Sequence, residues 1–123
     1  MKFSALLVLS FVCGPITAAY ALDPSGNYVR DDGGTRVRVA NCGQKICATN
    51  TWIKDPASSE KVGDVLVMSL QPASENTLKG TAYDGQRKMT YNFEMAVEPN
   101  KLNTKGCVLG KLLCKDVAWN RIP

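Results

Sequence analysis

The chain of 123 residues contains no histidine. A serine or cysteine nucleophile therefore lacks its commonest base, which argues against the usual hydrolytic triads. Also missing are a heptad, a helical-period stripe of useful length, an internal repeat and a low-complexity tract, so a helical bundle or a solenoid is not expected. Aromatic residues are only 7% of the chain, and the formal charge of +4 is scattered, without the basic stripe and stacking aromatics of a nucleic-acid binder. The one long apolar run, from Ala5 through Val12, falls well short of the roughly 20 residues a spanning helix needs. A Gly14-Pro15 break then interrupts it.

That run belongs to an export layout, with Lys2 as a short positive region ahead of it and small residues at Ala18, Ala19 and Ala21 behind it. Ala19-Tyr20-Ala21 fits a cleavage site, so residues 1–21 are expected to be a signal peptide and 22–123 one mature domain, with a retained membrane anchor as the alternative. Cys13 leaves with the signal, because Ser10-Phe11-Val12 lacks the small residue that a lipoprotein site places before its cysteine. Cleavage turns five cysteines into four: Cys42, Cys47, Cys107 and Cys114. In a small periplasmic or secreted domain an even count reads as two disulfides.

Beyond the signal the recurring pattern is period-two alternation cut by Gly, Pro, Asn and Asp turns. It predicts strands near 26–30, 35–41, 47–53, 65–70, 77–83, 88–97, 101–107 and 115–122, with one longer loop at 54–64. In an antiparallel hairpin facing residues share a face, so one assumed turn fixes every pair. A turn at Asp32-Gly33 sets Tyr28 opposite Val37, and one at Asp84-Gly85 sets Leu78 opposite Tyr91 and Gly80 opposite Met89. A turn at Pro99-Asn100 sets Met95 opposite Thr104, Phe93 opposite Gly106 and Glu94 opposite Lys105.

Pairing Cys42 with Cys47 puts Arg36, Arg38, Thr49 and Thr51 on the disulfide's face, with Val37, Val39, Ala48 and Trp52 on the other. Pairing Cys107 with Cys114 groups Leu102, Val117 and Trp119 inside and sets Lys105 against Asp116 outside. This connectivity is favoured over the two crossed ones because its faces agree with the turns. Short hairpin-linked strands with one apolar face can bury it by closing on themselves, which also removes both sheet edges. The expected fold is all-β, a small up-and-down antiparallel barrel of about eight strands, with a two-sheet sandwich as the alternative.

Three stretches carry a resemblance. The hairpin Val37 to Cys47, the turn region Gly80-Thr81-Ala82-Tyr83-Asp84-Gly85 and the ending Gly106 to Arg121 together resemble an exported bacterial family catalogued as domain of unknown function 2147. Where members usually carry Gly-x-Trp in the first strand, this chain has Gly26-Asn27-Tyr28, and the segment between the third and fourth strands is shorter. The resemblance implies a periplasmic or secreted lipocalin-like barrel and supplies no activity. An opening Gly-x-aromatic with a Trp-x-Arg ending also echoes lipocalin-type barrels, which would pair Tyr28 with Arg121.

For function, no catalytic residue, metal site or cofactor is expected. The cysteines are tied up in disulfides, and Asp31-Asp32 beside Gly33-Gly34 reads as a turn. Tyr28, Asn50, Trp52, Tyr91, Phe93, Trp119 and Arg121 are the candidates for lining a ligand site. An eight-stranded barrel is just wide enough to be filled by side chains or to hold one small ligand. A mainly filled interior is expected, with any cavity near one mouth.

The tip from Val108 to Leu113 is apolar where hairpin tips are polar, so Val108, Leu109, Leu112 and Leu113 are candidates for a protein partner or inhibited enzyme, unless the tip plugs the mouth. The loop at 54–64 is a further candidate. The reading is a monomeric, non-enzymatic binding protein of the bacterial envelope, with a small apolar molecule ahead of an envelope protein as partner, no nucleic acid, and no membrane span after cleavage.

Overall fold

A computed structural model describes residues 23–123. Residues 1–21, expected to be a signal peptide, and Cys13 among them lie outside the described residues. Eight strands follow one another: β1 (Gly26–Arg30), β2 (Thr35–Cys42), β3 (Lys45–Ile53), β4 (Val65–Pro72), β5 (Thr77–Asp84), β6 (Met89–Glu98), β7 (Lys101–Val108) and β8 (Leu113–Ile122). Each pairs antiparallel with the next, and β8 returns to β1 through Tyr28 opposite Arg121 and Arg30 opposite Trp119. The sheet closes into a barrel, so the sandwich alternative falls away.

Alternation is clearest in β2, where Thr35, Val37 and Val39 are buried and Arg36 and Arg38 exposed. The inward set includes Tyr28, Met68, Leu78, Ala82, Phe93, Met95, Val97 and Leu102. Full burial of such a side chain contributes about 1.5–3 kcal/mol for the larger ones. Outside, Lys79, Glu94, Lys105 and Asp116 lie opposite one another in turn across β5 to β8. Lys79, Lys105 and Asp116 of this ladder are exposed.

Most assumed registers hold, including Tyr28 with Val37, Met95 with Thr104 and Lys105 with Asp116. The β5–β6 hairpin differs. Its turn spans 85–88, so Leu78 faces Met95 and Gly80 faces Phe93. Asp84 causes the longer turn by accepting the backbone N–H groups of Gln86 and Arg87 and the Arg87 guanidinium at 2.8 Å. The shift is an even number of residues, so every side chain keeps its face.

A second departure does change a face. β2 and β3 slip at Arg36/Val37, so that Val37 lies opposite Asn50 and Arg36 opposite Trp52. The extra residue, Thr51, donates its hydroxyl to the Arg36 carbonyl. Such a bulge reverses the parity beyond it. Both disulfides form as expected, Cys42–Cys47 and Cys107–Cys114, on the outer surface of the barrel. They fit an oxidising, non-cytoplasmic environment.

Candidate ligand-binding site

The two ends of the barrel are built differently. At one end lie the start of β1, the turns at 43–44, 73–76 and 99–100, and the end of β8. Tyr28 fills it, fully buried, with its hydroxyl donating to the Pro24 carbonyl at 2.7 Å. Arg121 lies across the ring, its guanidinium carbon 5.0 Å from the centroid, and donates to the Tyr28 oxygen at 2.8 Å and to the Ser25 carbonyl at 3.0 Å. Burial pushes the Tyr28 phenol above its ordinary range, with the Arg121 cation only partly opposing, so the hydroxyl stays neutral and both donates and accepts. Gly26 makes room for this contact, because a Cβ there would collide with the Arg121 guanidinium.

The other end carries the turn at 31–34, the loop at 54–64, the turn at 85–88 and the tip at 109–112. From it an apolar cavity of about 260 Å³ runs into the barrel. Its walls include Val37, Leu66, Met68, Tyr91, Phe93 and Trp119. Small inward residues create the space: Ala48 on β3 and Gly106 on β7 stand where bulkier side chains would fill it. Thr104 supplies an inward hydroxyl, which accepts the Trp119 indole N–H at 3.2 Å and donates to the Val117 carbonyl. Trp119 thus has its polar atom satisfied and its ring against the cavity.

Above the cavity the rim is polar. The inward-facing end residues Arg30, Asn50 and Asp84 meet the loop at 54–64, which crosses part of the opening. Arg30 holds Glu60 at 3.0 Å and Asp32 at 2.9 Å, and the buried Thr35 hydroxyl donates to Glu60. On the far side Arg87 donates to the Ser59 hydroxyl, while the Asn50 N–H donates to the Asp64 carbonyl and Gly63 N–H to the Asn50 carbonyl. A loop anchored on both sides is a fixed rim.

The candidate residues therefore separate. Tyr91, Phe93 and Trp119 line the cavity, and Asn50 stands at the rim in an adjoining space that shares Trp119. Tyr28 and Arg121 do not line it; they plug the opposite end, because their mutual contact is satisfied there. Trp52 is a correction. The bulge turns it outward, 39% exposed, with the Arg36 guanidinium 4.8 Å from its ring centroid. The interior is filled at the Tyr28 end and open towards the rim, so its occupancy is divided along the axis.

The tip does not plug the mouth. Its Gly110 carbonyl accepts the Asn92 amide of β6 on the outer wall, and Leu109, Leu112 and Leu113 stay 70%, 82% and 59% exposed. Val108, paired with Leu113, is half-buried. Sequence reasoning did not single out Ala48, Gly106 or Lys115. Facing-pair registers contained the signal for all three, since each falls on the inner face near the same end.

The match to known proteins is with one family. A model described as an uncharacterized protein conserved in bacteria, domain of unknown function 2147, matches residues 26–121. The chain belongs to that family. Among curated proteins and among solved structures none matches the chain. The matched span of this DUF2147 chain runs from Gly26 to Arg121, the two residues that meet at the plugged end.

Proposed function

We propose that the domain is an exported, non-enzymatic binding protein of the bacterial envelope that takes a small apolar molecule into the barrel through the polar rim. What supports this reading is the apolar cavity of about 260 Å³ opening at one end. An engineered cavity of about 150 Å³ holds benzene, so this one suits a ligand of about ten non-hydrogen atoms. Export to the periplasm or beyond follows from the leader layout, with Leu22 as the mature N-terminus, and fits the two disulfides.

The test uses Trp52→Phe, which leaves Trp119 as the reporter, titrated with 1-octanol. The expected result is a saturable shift in Trp119 emission that Gly106→Leu, which fills the cavity, removes. No saturable shift up to the solubility limit, or an unchanged shift in a folded Gly106→Leu protein, sinks the reading.

The exposed leucines of the tip favour a second reading, an envelope protein gripped by the Val108–Leu113 hairpin end. Leu109→Asn is then expected to abolish pull-down of a specific partner, and an unchanged pull-down counts against it.

A further inference from the structure

The charged groups that line the space above the cavity, Arg30, Glu60, Asp64, Asp84 and Arg87, are all held by partners, whereas Asp31, Lys54, Lys88 and Lys111 at the same end make no ion pair among the described residues but line neither that space nor the cavity. Arg30 is held by Asp32 and Glu60, and Arg87 by Asp84. Asp32 also accepts the Gly34 N–H, Glu60 the Thr35 hydroxyl, Asp84 the N–H groups of Gln86 and Arg87, and Asp64 the Lys61 N–H. The Lys61 ammonium donates to the Ser58 carbonyl. Lys115 differs from all of these. It lines the apolar cavity, yet among the described residues it makes no hydrogen bond and no ion pair.

Its placement follows from the register. Lys115 lies opposite Gly106, on the inner face of β8 near the rim, and two positions from Val117. Because Gly106 has no side chain, nothing on the facing strand covers the lysine stem on the cavity side. The neighbouring charges Lys105 and Asp116 project from the opposite face of the sheet. Asp32 feels Lys115 through space, but its carboxylate already takes the Arg30 and Gly34 hydrogen bonds. Lys115 is an exposed residue, so an anion paired with its ammonium keeps part of its hydration while the anion's tail is buried in the cavity.

We infer that the cavity selects an organic monoanion, a carboxylate with an apolar tail of about eight carbons, bound tail-inward with its headgroup on the Lys115 ammonium. This rests on the cavity being a ligand site. It adds a charge preference that an apolar cavity alone does not have. A partly exposed ion pair is modest, so the expected gain is about fivefold in affinity at low ionic strength, shrinking with added salt.

The experiment compares octanoate with 1-octanol on folded Trp52→Phe protein and on the same protein carrying Lys115→Met or Lys115→Glu. The expected result is that Lys115→Met weakens octanoate about fivefold and leaves octanol unchanged, while Lys115→Glu weakens octanoate further and admits octylammonium. If both probes bind and neither substitution changes octanoate, the charge preference is overturned and the cavity reading stands. If neither probe binds the parent protein, the cavity reading itself fails and this inference with it.

Discussion

Removing the single phenolic oxygen of Tyr28 would strand an Arg121 N–H and the Pro24 carbonyl in a buried place. An unmet buried polar group costs about 1–3 kcal/mol, so Tyr28→Phe is expected to destabilise by about that much. In a domain of this size each kcal/mol lowers the melting temperature by roughly 4–8 °C. A thermal melt followed by circular dichroism checks this, and a change within 1 °C would show that the contact contributes nothing. Trp52 teaches a different lesson at the same scale. Its size marks it as core, but one extra residue in β3 sends it to the surface, where it lies against Arg36. No alternation pattern shows a bulge, because the bulge is a property of two strands and not of one.

Among the elements, the hairpins divide into those set by local chemistry and those set by neighbours. Pro99-Asn100 makes a two-residue turn with the assumed register. The Asp84 hairpin does not, because one carboxylate gathers two backbone N–H groups and a guanidinium into a longer turn. Gly80 on β5 is fixed by its neighbour, since a Cβ there would collide with the Ser69 carbonyl of β4.

In the β7–β8 hairpin Leu109 sits at φ 54°, a left-handed conformation in which a leucine is strained by about 1–2 kcal/mol. Asparagine tolerates that conformation better, so Leu109→Asn is expected to raise the unfolding midpoint even as it removes the apolar tip. A lowered midpoint in urea would mean that the exposed leucine stabilises the hairpin. The strain and the exposure together are why the tip merits the partner test.

For the molecule as a whole, the missing histidine has a thermodynamic consequence. Asp23 is held below the ordinary carboxylate range by the Ser25 N–H, and Asp32 chiefly by the Arg30 hydrogen bond. Burial pushes Asp84 up, but the Arg87 guanidinium and the two turn N–H groups outweigh it and hold it below. These carboxyls bind protons less tightly folded than unfolded. Their contribution is therefore present above the unfolded value near 4 and is lost as pH falls through the lower folded values. Tyr28 has the opposite sign: its raised phenol contributes fully below about 10, and that contribution is lost as pH rises through the folded value. With no histidine between them, stability is expected to be flat from about pH 5 to 9. Urea titrations across that range check it, and a clear slope near pH 6–7 would contradict it.

The Tyr28–Arg121 meeting was expected from the resemblance to lipocalin-type barrels, whereas the amino-acid sequence alone determined the strands, their faces apart from Trp52 beyond the bulge, the order of pairing and both disulfides. These follow from period-two alternation, turn residues and cysteine spacing, which act over a few neighbouring residues or within one hairpin. It also placed Tyr91, Phe93 and Trp119 correctly on the cavity wall. Only the closed structure decided where the interior is solid and where it is open. That depends on which side chains from non-adjacent strands share one level of the barrel: Tyr28 and Arg121 fill theirs, while Ala48 and Gly106 leave theirs empty. The uncommitted charge of Lys115 was equally out of reach, because a lysine beside the cavity counts as spare only once Asp32, Glu60 and Asp84 are seen to be taken by Arg30 and Arg87.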